Sequence, residues 1–191
     1  LNLCKKYKVK RFIQASSIYA GTDQGGFYSC SKRAADDYVK EFYKSYHQNY
    51  TILRYGSIYG PRSDKSNGLR EIIERAIWQR KLIYMGNKKT IRKYIHVLDV
   101  AKASVEILKD SYKNKSILLT GQKGKKISEV LKFISKTLKI NSKIIYKNEK
   151  KSQHYVIKPK PYLITKVTEF KFNKIADFRK GILSLIQELK Y

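Results

Sequence analysis

Tyr28-Ser29-Cys30-Ser31-Lys32 sets a tyrosine and a lysine four positions apart. On a helix that spacing puts both side chains on one face, one turn apart. An ammonium beside a phenol stabilises the phenolate, which makes tyrosine usable as a general acid or base. Spacing alone proves little. With 16 tyrosines and with 33 lysines left once nine arginines are taken from 42 basic residues, about three such pairs arise by chance. The chain has four: Tyr28/Lys32, Tyr84/Lys88, Tyr146/Lys150 and Tyr162/Lys166. Only the first follows a strand and loop and opens a convincing helix. The histidines His47, His96 and His154 form no cluster and read as structural. Cys4 and Cys30 make no disulfide framework and have no partner at zinc spacing, so no metal site is expected and a reducing compartment is the natural reading.

The elements that must position this pair are legible from hydrophobic period. Val9–Ser16 reads as a strand ending in small polar residues, and Ser17–Gly26 as a loop with Gly21, Asp23, Gly25 and Gly26 as turn formers. Residues 27–47 make the strongest helix, with Ala35, Tyr38/Val39, Phe42 and Tyr46 as its apolar stripe. A strand is expected at Thr51–Tyr55, a loop at Gly56–Gly68 and a helix at Leu69–Arg80. Leu82–Met85 and Ile91–His96 read as extended. Leu98–Lys109 reads as a helix with Val100, Ala101, Ala103, Val105 and Leu108 mostly inward. Then come a strand at Ser116–Thr120, a helix at Ile127–Leu138, a strand at Lys143–Tyr146, a poorly patterned stretch 147–174 carrying Pro159 and Pro161, and a helix at Ile175–Leu189. Strands alternating with helices predict an α/β fold with parallel strands.

The chain has 191 residues, 42% hydrophobic, and a formal net charge of +27. That length gives one domain or slightly more, and that apolar content excludes global disorder. No apolar run approaches the ~20 residues of a membrane helix. The charge is spread, at +6 over residues 1–60, +6 over 61–108 and +15 over 109–191. High basicity flags nucleic-acid binding, but no zinc-finger spacing, RNP-like aromatic string or Gly-x-x-Gly clamp between helix and strand accompanies it. The charge reads as solvated surface, with a non-catalytic polyanion-binding protein as the rival reading. The opening residues Leu1–Tyr7 read like the end of a helix, so the chain is expected to start inside an element of a longer protein.

Four stretches in order carry a more specific signal: Arg11-Phe12-Ile13-Gln14-Ala15-Ser16-Ser17; Tyr28-x-x-x-Lys32; Leu53-Arg54-Tyr55-Gly56-Ser57-Ile58-Tyr59-Gly60-Pro61-Arg62; and Arg92-Lys93-Tyr94-Ile95-His96-Val97-Leu98-Asp99-Val100-Ala101. Together they resemble the extended short-chain dehydrogenases/reductases, specifically the NAD-dependent sugar-nucleotide epimerase/dehydratase family. The resemblance covers at least residues 1–140. It implies the C-terminal part of a Rossmann-type, doubly wound parallel sheet plus a smaller α/β substrate-binding domain. Residues 1–60 are then the remainder of the NAD-binding domain, and 61–191 mainly the substrate domain with some strands returning to the sheet.

The resemblance also implies roles. Tyr28, Lys32 and Ser17 are the catalytic set, with Ser16 the runner-up for the hydroxyl. Tyr28, Lys32, Ser16 and Tyr55 face the cofactor, NAD. Arg92, Ser57 and Arg62 take the nucleotide-sugar substrate, Arg92 on the diphosphate. Asp99 is a structural residue at a helix start. The implied activity is epimerisation, at C4, through a transient keto sugar, with a 4-keto-sugar reductase as the enzymatic alternative. A 4,6-dehydratase is disfavoured because Ile18-Tyr19 follows Ser17 where those relatives carry Asp-Glu. A homodimer in the complete protein and a cytoplasmic location complete the expectation, with neither membrane nor nucleic acid as partner. The chain departs from the family in three places. Gly56-Ser57 replaces Phe-Asn, only eleven positions separate Ser17 from Tyr28, and no Gly-x-x-Gly-x-x-Gly phosphate turn is present. That turn is expected in a preceding segment.

Overall fold

The computed structural model describes residues 1–147 and 167–190. Lys150, His154, Tyr162, Lys166, Pro159 and Pro161 lie outside them. The described elements are α1 (Asn2–Lys6), β1 (Phe12–Ser17), a 3-10 turn (Ile18–Gly21), α2 (Gly26–Tyr46), β2 (Tyr50–Tyr55), β3 (Ser57–Tyr59), α3 (Gly68–Gln79), β4 (Ile83–Met85), β5 (Ile91–Arg92), β6 (Tyr94–His96), α4 (Val97–Glu106), a 3-10 turn (Asp110–Tyr112), β7 (Lys115–Leu119), β8 (Lys125–Lys126), α5 (Ile127–Thr137), β9 (Ile145–Lys147), β10 (Thr168–Glu169) and α6 (Phe178–Glu188).

Two compact units emerge, interleaved along the chain. The first holds Leu1–Gly56, Val100–Thr120 and residues 167–173. Its sheet is wholly parallel in the order β1-β2-β7-β10. Side chains of a strand alternate between faces. Arg54 of β2 pairs with α2 through Asp36, whereas Leu53 and Tyr55 meet Ala103, Ile107 and Ser104 of the segment before β7. So α2 and α4 cover opposite faces. The steps β1→β2 and β2→β7 run in the same direction across the sheet, so their crossovers have opposite hands. The strong right-handed preference governs a compact crossover. The second connection here is interrupted by the whole Ser57–Asp99 segment, which relaxes it.

The core on the α4 face is Leu53, Ala103, Ile107, Ile117, Leu119 and Phe170. Burying each large side chain contributes roughly 1.5–3 kcal/mol. The helix over 98–109 was expected to turn Ala101, Val105 and Leu108 inward. They are exposed, and Val100, Ala103 and Ile107 take the inner stripe. The α2 stripe holds at Val39, which is buried, but Tyr38 is 72% exposed and Tyr46 50%, while Ser29 and Asp36 are buried. β10 comes from the stretch with no strand pattern, and the first strand starts at Phe12 rather than Val9.

The second unit holds Ser57–Asp99, residues 121–147 and residues 174–190. Its core is built by three helices with i, i+3, i+4 apolar spacing: Leu69, Ile72, Ile73 and Ala76 on α3, Ile127, Val130, Leu131 and Ile134 on α5, and Ile182, Leu185 and Ile186 on α6, with Leu189 just past its end. Asn67 caps α3, its Oδ1 accepting from the Leu69 and Arg70 amides at 3.2 Å each. Asp177 caps α6 through the Lys180 amide at 2.9 Å. Gly181 is required there: a Cβ would lie 2.6 Å from the Tyr59 hydroxyl. The loop expected over Gly56–Gly68 contains β3, which pairs parallel with β6. The extended run Ile91–His96 is two strands, because the chain changes partners at Lys93: β5 pairs antiparallel with β8, and β6 parallel with β3.

Candidate active site

β1 delivers Ser16 and Ser17 to the end of the first sheet, both buried. The Ser17 Oγ accepts from the Tyr19 amide at 3.2 Å and so caps the Ile18–Gly21 turn. That turn is locked onto α2 by a pair of side chains interleaved with the tyrosine and lysine. Ser29 Oγ donates to the Tyr19 carbonyl at 2.8 Å, and Arg33 donates to the Ala20 and Thr22 carbonyls at 3.2 and 2.6 Å. Arg33 also donates to Ser29 Oγ at 3.1 Å. Ser29 and Arg33 repeat the four-residue spacing one position on, a spacing present in the sequence that carries no chemistry of its own. Gly25 precedes α2 at φ 96°, and a Cβ there would lie 3.0 Å from the Tyr19 ring, so glycine is needed for both conformation and space.

Tyr28 stands in the first turn of α2, 52% exposed, its ring edge-on to Tyr19 at 6.5 Å. The Lys32 Nζ lies 5.8 Å from the Tyr28 ring centroid and donates to the Ala15 carbonyl at 3.0 Å. The helix thus presents phenol and ammonium on one face, with the ammonium tied to the end of β1. One of the three ammonium donors is used on Ala15. The others suit a hydroxyl-rich ligand. Tyr55 is half-buried, its hydroxyl 3.4 Å from Ser104 Oγ.

Behind this face lies a charged pair that the sequence reading did not single out. Asp36, fully buried, accepts from Arg54 through Oδ2 at 3.2 Å from Nε and 3.1 Å from Nη2. Burial pushes the Asp36 carboxyl above its ordinary 3.8, opposed by the Ser16 hydroxyl and the Arg54 guanidinium. Ser16 is close enough to act on the carboxylate, yet Ser16 Oγ and Asp36 Oδ1 are both buried with no aligned hydrogen bond.

In the second unit, Arg92 sits half-buried on β5, opposite Lys125 on β8, with Nη2 3.4 Å from the Tyr84 hydroxyl. A guanidinium suits bidentate capture of a phosphate. Ser57 pairs with Tyr94 across β3 and β6. Arg62 adopts φ 59°, and its amide is held by both Glu188 carboxylate oxygens at 2.8 and 3.1 Å. Asp99 is buried in the first turn of α4 and accepts from the Ala176 amide at 2.9 Å, tying two segments of this unit together. His96, buried against the Tyr59 ring at 5.2 Å, accepts from the Leu98 amide on Nδ1 at 3.3 Å. Burial holds its pKa below the ordinary 6.5, against the pull of Asp99.

Residues 1–119 match the family described as the NAD dependent epimerase/dehydratase family. The chain belongs to that family. A curated relative from Methanocaldococcus jannaschii, provisionally named a UDP-glucose 4-epimerase, is 24% identical over the whole chain, and the chain spans 66% of that relative's length. Among solved structures, UDP-glucose 4-epimerase from Thermotoga maritima, bound to UDP-glucose, superposes with a TM-score of 0.76 at 19% identity, over 99% of this chain and 66% of that one. UDP-glucuronic acid 4-epimerase from Bacillus cereus, bound to UDP-glucuronic acid and NAD, superposes with a TM-score of 0.80 at 18% identity, over 99% and 64%. At those identities the likeness establishes the fold, a mixed α/β architecture of Rossmann type. Among the described residues no helix is long and apolar enough to cross a membrane.

Proposed function

We propose that this epimerase/dehydratase-family chain belongs to an enzyme that inverts C4 of a nucleotide-activated sugar through a transient 4-keto sugar. The observation that carries the reading is the Tyr28–Lys32 pair, with Lys32 anchored at the Ala15 carbonyl. The residues present fit the nicotinamide-ribose end of NAD at Lys32, whose remaining ammonium donors suit ribose hydroxyls. A glycine-rich phosphate cradle is not found among the described residues, since Gly25 and Gly26 already form the entry to α2.

NAD, when bound, supplies the acceptor and later the donor of a hydride. The chain's own residues handle the proton. Tyr28 takes the C4 hydroxyl proton as the carbonyl forms and returns it when the carbonyl is reduced. Lys32 stabilises the phenolate between those steps, and Ser17 hydrogen-bonds the reacting oxygen. Arg92 grips the diphosphate, with Ser57 and Arg62 assigned to the substrate side. Inversion follows if the keto sugar presents its other face before reduction. Ile18-Tyr19 after Ser17 supplies no acid for dehydration. The complete protein is read as a cytoplasmic homodimer.

The test is product analysis with a panel of UDP- and dTDP-sugars. Interconversion of C4 epimers with catalytic NAD and no net reduction is expected. Stoichiometric NADPH consumption on a 4-keto substrate would identify a reductase instead, and loss of water would overturn the argument from Ile18-Tyr19.

A further inference from the structure

We propose that Asp36 and Arg54 form a buried clamp that sets where Lys32, and with it Tyr28, sits against the end of β1. The importance of the clamp rests on reading Tyr28 and Lys32 as the working pair; its existence does not. Residues 28, 32 and 36 share one stripe of α2 at spacing four. Asp36 is the innermost of the three, held by two guanidinium nitrogens at 3.1 and 3.2 Å. Arg54 is registered directly opposite Ser16 on β1, whose neighbours are Ala15, the acceptor for Lys32, and Ser17. Its Nη1 also lies under the turn that follows Ser17, 2.9 Å from where a Gly21 Cβ would be. A single side chain of β2 therefore binds α2 and closes the space under the turn.

The pair is poorly arranged for stability alone. Desolvating both charges costs about as much as their attraction returns, and an apolar pair of similar volume would do as well. What an ion pair adds over an apolar contact is direction. It admits one register of helix against strand, and one turn of helix separates it from Lys32.

The experiment is site-resolved lysine acetylation by an N-hydroxysuccinimide ester, read by mass spectrometry on the 191-residue chain. Lys44, exposed and paired with Glu41 at the far end of α2, serves as internal reference. The double variant Asp36→Leu/Arg54→Met replaces the charges with apolar volume. The expected result is Lys32 acetylation faster by roughly threefold or more relative to Lys44, the scale of a local opening, in protein whose melting is unchanged or higher. A folded double variant with the wild-type Lys32/Lys44 ratio would overturn the clamp. Should that variant not fold, Asp36→Asn is read in the same way: a raised ratio supports the clamp and an unchanged one overturns it. No substrate is needed, so failure here is separate from failure of the functional reading, which Tyr28→Phe tests.

Discussion

Three side chains separate the proposed roles by their kinetic signatures. Tyr28→Phe keeps the ring against Tyr19 and removes only the proton carrier. Turnover should fall by roughly 10²–10⁴ with substrate binding nearly intact. Lys32→Ala should depress both turnover and NAD affinity, because one ammonium serves phenolate and ribose. Arg92→Ala should raise KM first, since a phosphate grip acts in ground and transition states alike. Full epimerisation by Tyr28→Phe, measured by product analysis, would end the proton-transfer assignment. His96 offers a test independent of catalysis. Its folded pKa is depressed below 6.5, so its contribution to stability is full above 6.5 and is lost as pH falls through the folded value. Denaturant midpoints should therefore drop between neutral and mildly acid pH, and His96→Gln should flatten that part of the curve. An unchanged slope would mean that other groups dominate.

At the scale of elements, the entry to α2 is the most constrained joint near the site. Gly25→Ala places a side chain at φ 96° and against the Tyr19 ring. The strain of that conformation alone is about 1–2 kcal/mol, visible as a lower melting temperature. A variant as stable as the parent would show the turn to be adaptable. The same helix shows what sequence could and could not convey. Its existence and limits were legible, because 21 residues of α2 contain enough turns for a period to show. Its inward face is legible at Ala35, Val39 and Phe42 but not at Tyr38 and Tyr46, which hydrophobicity favours, nor at Asp36, which is buried by meeting an arginine 18 positions away. A burial that depends on a distant partner leaves no local trace. β3 was missed for a related reason: three residues cannot display alternation, and its pairing with β6 is a tertiary fact. Tyr28 and Lys32 stand out by type and spacing, whereas Ser17 and Arg92 are proposed only through the family resemblance. Ser29, Arg33, Asp36 and Arg54 only position others, and many residue types position.

For the molecule as a whole, the +27 charge tests the rival reading. Association with a random-sequence DNA duplex should be non-selective and should collapse as salt rises from about 50 to 200 mM, as counterion release requires. Tight binding to DNA or RNA, itself falling steeply with salt, would instead revive the polyanion-binding alternative. A second consequence comes from the order in which the sheet is assembled. β2 must wait for β7, which the chain supplies only after the whole of Ser57–Asp99, and β7 must wait for β10. On a ribosome, β1, α2 and β2 emerge together, but the α4 side of their sheet stays bare until the later segments arrive. Contacts so far apart in sequence carry a large loop-closure entropy and form slowly. No single cut in the gene frees either unit intact: a break near residue 60 would strand β2 without the neighbour that completes it. Recombination that exchanges the second unit between relatives would have to change two or more stretches at once to leave the sheet whole.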